Sequence, residues 1–290
     1  MSWVTHELRG AVTDLKRRFA PNRPACGISN WRQFARRVRS GDCRLLARLP
    51  DYPSAILVTG CQRSGTTMLA RLVTSSAGMT NYWSGLDDEL DAALILAGLE
   101  EPAATGRYCF QTTYLNECYQ EYLEAPASVR ILWVLRDPAS VVNSMLHNWR
   151  PSALRELAAA CRRQPPPKAR NLPDLPVVRA QGRLGQACLA YIGKTAQLWM
   201  LAECLPRPML AVIDYDELIR DKGRLLPEIY RFIGLPFRPE YGAAIRPPSA
   251  RRALILDADA RQLVGESCLP LYQAARRLAT WPTPGAALEI

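Results

Sequence analysis

The run Ala55-Ile-Leu-Val-Thr-Gly60-Cys-Gln-Arg63-Ser64-Gly65-Thr66-Thr67 decides the fold. Its first half is short, apolar and partly β-branched, with Pro53 before it and Gly60 closing it. That pattern reads as a buried strand. Residues 66–77 then carry Leu69, Leu72 and Val73 at helical spacing. A glycine-containing turn between strand and helix lets backbone N–H groups converge on an anion at the helix N-terminus. The spacing Gly60-x-x-x-x-Gly65 equals that of the nucleotide-triphosphate loop GxxxxGK(S/T). Here Thr66 stands where that loop has Lys, and the cation has moved into the turn as Arg63. A tight turn leading into a Thr-capped helix is the plain alternative.

Outward from this segment, strands alternate with helices. Ile131–Leu135 reads as a second buried strand. Asp137 then serves as N-cap and Pro138 as first-turn residue for a helix through Val141, Val142, Met145 and Leu146. A helix over 184–204, a strand at Met209–Ile213, and helices near 224–233 and 257–278 follow. The strands are continuous apolar runs, which predicts a mostly parallel central sheet with helices on both faces. The fold class is α/β, a P-loop-type three-layer sandwich. Residues 1–50 read as a mostly helical extension packed on a main domain over 51–290. The stretch 162–180, with Pro165-Pro166-Pro167, reads as a flap within that domain.

The whole chain has 290 residues, enough to bury a sizeable core, and 48% hydrophobic composition excludes a disordered or fibrous chain. No run of 18 apolar residues occurs, so no membrane span is expected, and the start lacks the pattern of a secretory signal. The formal charge is +10, carried by 33 Arg and only four Lys. Arg offers a planar fork suited to phosphate, so a polyanionic partner is one reading and a solvated basic surface the other. Nine Cys with no CxxC pair argue against a zinc site or a disulfide framework and fit a reducing cytoplasm. Two His, His6 and His147, leave little for histidine-based metal binding.

At GCQRSGTT the chain resembles the sulfotransferases that use 3′-phosphoadenosine 5′-phosphosulfate (PAPS), in the RSGTT form of Golgi-type and many bacterial members. The resemblance implies that Arg63, Ser64, Gly65, Thr66 and Thr67 hold the 5′-phosphosulfate. It also implies a second element, a strand ending in Arg and a helix bearing Ser eight residues later. Ile131-Leu-Trp-Val-Leu-Arg136 followed by Ser144 matches it, and in the family these two residues hold the 3′-phosphate. Arg136 would sit at the carboxyl end of a strand, where open α/β sheets bind ligands. The plain alternative has Arg136 neutralising a sheet-end carboxylate and Ser144 on a helix surface. Ala211–Leu218 and Ile229–Pro236 are similar to the family's YEDL and FLGLP segments, so the resemblance spans about 55–275. Arg251 and Arg252 fall where relatives place a basic loop over the nucleotide.

Sulfuryl transfer needs in-line attack, donors for the transferring oxygens, neutralisation of the leaving phosphate, and a base for the acceptor proton. The cytosolic branch uses a His as base. The matching place here is Gln111-Thr112-Thr113, without one. Other branches use a carboxylate 20–26 residues after the loop arginine. That points to Glu89 first, then Asp88 and Asp87, against a plain reading of all three as a helix N-terminus. His147 lies on the nucleotide side and is set aside as base. Tyr82, Trp83, Tyr108, Phe110, Tyr114, Tyr119 and Tyr122 are candidate acceptor-pocket residues or simply core. Tyr191 and Trp199 are candidates to approach the adenine.

The resemblance thus implies transfer of a sulfuryl group from PAPS, without a metal, to a hydroxyl of a small-molecule or carbohydrate acceptor. Two alternatives stand beside it. One is a P-loop kinase using ATP and Mg, disfavoured by Thr66. The other is a bisphosphonucleotide-binding module that has lost its base. A nucleic-acid binder lacks any stripe of regularly spaced basic and aromatic residues.

Overall fold

Four strands lie parallel in the order β2-β1-β3-β4: β1 (Ile56–Gly60), β2 (Cys109–Gln111), β3 (Arg130–Leu135) and β4 (Leu210–Asp214). They belong to a computed structural model that describes residues 26–39, 44–83, 87–102, 104–114, 119–163, 169–178, 181–245 and 256–281. Ile56 is paired with Cys109 on one side and Arg130 on the other, and Gly60 lies beside Val134. The chain leaves β1 first toward β2 and then returns past it to β3. This reversal puts a crevice at the carboxyl ends of β1 and β3, the usual ligand position in such sheets.

Alternation along the strands divides the core in two. Ile56, Val58, Leu132, Val134, Ala211 and Ile213 face one cluster. There they meet α2 (Thr66–Thr74), α9 (Tyr215–Arg220) and α10 (Lys222–Phe232), through residues such as Leu69, Leu218 and Ile229. Leu57, Ile131, Trp133, Leu135, Leu210 and Val212 face the other. That layer holds α3 (Asp88–Leu96), α5 (Pro138–Asn148), α6 (Pro151–Arg163), α7 (Gly182–Thr195), α8 (Gln197–Cys204), α11 (Ala258–Ser267) and α12 (Leu269–Arg276). A sheet covered on both faces requires strands without polar alternation, which is why the strands read as unbroken apolar runs. Completing the described elements, α1 (Trp31–Arg39) places Phe34 against Leu90, Ala93 and Leu94 of α3, and α4 (Tyr119–Leu123) precedes β3.

The predicted helix 184–204 is two helices, α7 and α8, interrupted at Ala196. The predicted helix 257–278 is also two. Pro270, in the first turn of α12, has no N–H to continue the ladder, and Cys268 at φ −111° marks the break. The stretch 162–180 begins inside α6, and residues 169–178 carry no regular structure. None of the helices among the described residues is long and apolar enough to cross a membrane.

Two local devices hold the frame. Arg107 donates to the carbonyls of Ile233 and Gly234 just beyond α10 and to Ser54 O at 2.8 Å, so one cation satisfies the helix's C-terminal carbonyls and ties it to the start of β1. Arg107→Ala is expected to lower stability by about 2 kcal/mol, read from the urea unfolding midpoint, because these charge-assisted bonds are lost together. On the outer side of β4, Thr280 N–H donates to Val212 O at 2.9 Å and its Oγ1 accepts from Val212 N–H at 2.8 Å.

Candidate active site

The loop after β1 is built on residues that only fit as they stand. Gly60 has φ +138°, and a Cβ there would lie 2.5 Å from the carbonyl oxygen of Val134 on β3. Gly65 caps α2 at φ +100°, and its Cβ would lie 2.2 Å from Cε2 of the Tyr215 ring. Between them Arg63 is the one non-glycine residue at positive φ among the described residues, at 74°. A left-handed residue with a side chain costs about 1 kcal/mol, so the loop holds its arginine in a strained backbone. Ser64 is fully buried, and its Oγ has no hydrogen-bond partner. An orphaned buried hydroxyl at a helix N-terminus fits an incoming anionic oxygen. Thr66 is buried and Thr67 exposed; both hydroxyls accept from Gln111 Nε2, at 3.3 and 3.0 Å.

Arg63, Arg136 and Ser144 come together. Arg63 Nε donates to Ser144 Oγ at 2.9 Å, and Arg136 Nη1 donates to Arg63 O at 3.2 Å. Arg136 sits at the end of β3 with its guanidinium 4.7 Å from the Tyr215 ring centroid and its Nε 3.8 Å from Asp216 Oδ1. Asp216 in turn accepts from Asp137 N–H at 2.9 Å, and burial raises its carboxyl above the usual range. Arg136 therefore joins the loop, a sheet-end carboxylate and an aromatic face at once. This arrangement contains the carboxylate of the plain alternative, and it also sets Ser144 against the loop arginine. Tyr191, 1% exposed, donates to Arg136 O at 3.0 Å and is a core residue supporting that strand end.

The three consecutive acids face three directions, since neighbours on a helix are turned by about 100°. Asp87 is the N-cap of α3: its Oδ1 accepts from Leu90 N–H at 3.2 Å and its Oδ2 from Trp31 Nε1–H at 3.0 Å. Asp88 is buried and pairs with Arg71 Nε at 2.7 Å. Glu89 points to the end of β2, where Thr113 Oγ1 donates to its Oε1. Enclosure by protein pushes the Glu89 carboxyl up to about 7 and Asp87 adds to this, while the Thr113 hydroxyl, Lys194 and the Tyr114 N–H pull it down. Glu89 thus has a carboxyl poised to exchange a proton near neutrality.

Register brings that carboxyl beside the loop. Thr112 N–H bonds to Val58 O at 2.8 Å, which carries Thr113 to the level of Gly60, and Gln62 Nε2 reaches Thr113 O at 3.4 Å. Lys194, at the end of α7, is 2% exposed and donates to the same carbonyl at 3.2 Å. Sequence reasoning passed over Lys194, because a single lysine in a helix reads as surface; its place among Gly193, Thr195 and Cys188 on an otherwise apolar helix was the available signal.

The aromatic candidates divide. Tyr82, Tyr108, Phe110 and Tyr122 are core. Trp83 and Tyr114 are partly buried, and Tyr114 packs 4.8 Å from Trp31. The side chain of Tyr119 and residues Arg251 and Arg252 lie outside the described residues. Trp199 is buried in the core, and His147 is exposed on the last turn of α5.

Residues 53–246 match the family described as "Sulfotransferase domain". Among solved structures, a domain from the Synechococcus PCC 7002 olefin synthase is 13% identical, with a TM-score of 0.47 over 79% of this chain and 95% of its own. A mouse sulfotransferase complexed with PAP is 15% identical, with a TM-score of 0.46 over 81% and 93%. A sulfotransferase from Alicyclobacillus acidocaldarius is 16% identical, with a TM-score of 0.45 over 77% and 94%. Against curated proteins the chain has no significant match.

Proposed function

Because the chain belongs to the sulfotransferase-domain family, we propose that it transfers a sulfuryl group from PAPS to a hydroxyl of a small-molecule or carbohydrate acceptor. The carrying observation is a row across the strand ends. Glu89 and Thr113 stand at β2, the Arg63 loop at β1, and Arg136 at β3. Such a row separates a proton-accepting side from a nucleotide side, with an anion-binding turn between them. The RSGTT run aligns the chain with the Golgi-type and bacterial branch, and 51–290 is read as the catalytic unit with 1–50 as an extension.

In this reading Arg63, Ser64, Thr66, Thr67 and the loop amides hold the phosphosulfate, and Arg136 with Ser144 takes the 3′-phosphate. Arg251 and Arg252 are assigned to the basic loop above. PAPS, when bound, supplies an activated sulfuryl group. Glu89 takes the acceptor's hydroxyl proton, and Arg63 offsets the charge that builds on the departing phosphate, so fixed donors rather than mobile water stabilise the transfer. The nine cysteines, with no CxxC pair, are read as fitting a cytoplasmic setting.

Binding is the first test, since it needs no acceptor. 3′,5′-Bisphosphoadenosine is expected to raise the melting temperature in a concentration-dependent way. At 100 times its Kd the stabilisation is about 2.7 kcal/mol. ATP with Mg should do less; the reverse order would select the kinase reading. An acceptor screen read by the mass gain of one sulfuryl group then identifies the substrate.

A further inference from the structure

Lysine is among the residues least often buried, and an ammonium removed from water costs several kcal/mol unless a partner compensates. Lys194 is nonetheless 2% exposed, and its Nζ ends on Thr113 O, 3.2 Å away. Thr113 is a hub. Its carbonyl accepts from Lys194 and from Gln62 of the loop, and its hydroxyl donates to Glu89. One residue thus connects the phosphate loop, the end of β2, the helix bearing the carboxylate, and a buried cation from α7.

We propose that Lys194 is a positioning residue for the base: its ammonium fixes the Thr113 turn, whose hydroxyl in turn holds the Glu89 carboxylate. This rests on reading Glu89 as the base. The groups facing Glu89 are Asp87 on its own helix, Lys194 from α7, and the Thr113 hydroxyl and Tyr114 N–H from the end of β2. Around Lys194 stand Glu89, the Cys61 thiol of the loop, and Cys161 of α6, which packs against the neighbouring Gly193. Enclosure and Asp87 both favour a neutral Glu89; Lys194 is a cation opposing them. With the cation present the two charges sum to zero. Once Glu89 holds the acceptor's proton, a lone ammonium remains, so the pair favours returning that proton to solvent and resetting the site.

The chain has only four lysines, so side-chain 15N labelling gives a spectrum in which Lys194 can be followed directly. In the unmodified protein its resonance should step at the same pH midpoint as the 13C-labelled Glu89 carboxyl. In Lys194→Met that carboxyl midpoint should rise by about one unit, the effect of losing a nearby opposite charge. The acid limb of kcat/KM should move with it, while affinity for bisphosphoadenosine stays within about twofold. A Lys194 resonance blind to the Glu89 titration overturns the proposal, and so does an unmoved midpoint in Lys194→Met. The labelled native protein decides if that variant does not fold. A shifted carboxyl in a protein that shows no turnover with PAPS would leave the pairing intact and sink the sulfuryl-transfer reading instead.

Discussion

Glu89→Gln is expected to lower kcat/KM for sulfuryl transfer by about 100- to 10,000-fold, the usual contribution of a positioned general base. Gln keeps the shape and can still accept from Thr113 Oγ1, so the turn holding it should survive. Bisphosphoadenosine binding should stay intact, because the proposed nucleotide side lies across the loop, at β3. Undiminished turnover in Glu89→Gln would return the role to Asp87 or Asp88. Asp87 is the weaker of these, since it caps α3 and holds Trp31; Asp88 is engaged by Arg71. Nucleotide binding without turnover in the parent protein would identify a module that has lost its base.

The pH dependence follows from the same carboxyl. A base works ionised, and burial has pushed Glu89 up to about 7, so kcat/KM should climb as pH rises through about 7 and level off above it. Stability should run the other way. Between an ordinary unfolded carboxyl near 4.5 and the folded midpoint near 7, the folded state binds more protons than the unfolded one. Stability is therefore lost as pH rises across that window. A pH–rate profile and urea midpoints at pH 5 and pH 8 give both signs.

Gly60→Ala is expected to cost about 3 kcal/mol or more in urea unfolding, a large part of a typical 5–15 kcal/mol total. Two penalties combine. The backbone is at φ +138°, and the new methyl would meet the Val134 carbonyl oxygen at 2.5 Å. That obstacle is backbone in a neighbouring strand, so it cannot rotate away. Gly78→Ala supplies the comparison. Gly78 also has positive φ, at +85°, but nothing lies within 4 Å of its added Cβ, so the loss should be nearer 1 kcal/mol. Equal losses would mean that the contact between loop and β3 carries no energy.

Much of this was legible before the structure. Three of the four strands are apolar runs bounded by Pro, Gly or Asp, and the anion loop joins strand to helix through two glycines. β2 was not legible. It is three residues long, and Cys109-Phe110-Gln111 lies in an aromatic stretch without alternation. The break between α7 and α8 escaped because Thr195-Ala196-Gln197 contains no Gly or Pro. The three acids after Trp83 could not be ranked firmly from spacing. Their roles diverge only when Trp31, Arg71 and Thr113, three partners distant in sequence, each claim one. Lys194 escaped for the same reason, since its meaning lies in what encloses it.

The small clasp at Thr280 has a consequence for the whole particle. In an open sheet the outermost strand offers a ladder of free amides and carbonyls to any passing chain, an invitation to fibre growth. Val212, the middle residue of β4, has both of its outward groups taken by Thr280. A foreign strand seeking register along that margin would have to displace this residue first. One threonine thus closes the seam at its centre, apart from the proposed chemistry at the ends of the other strands.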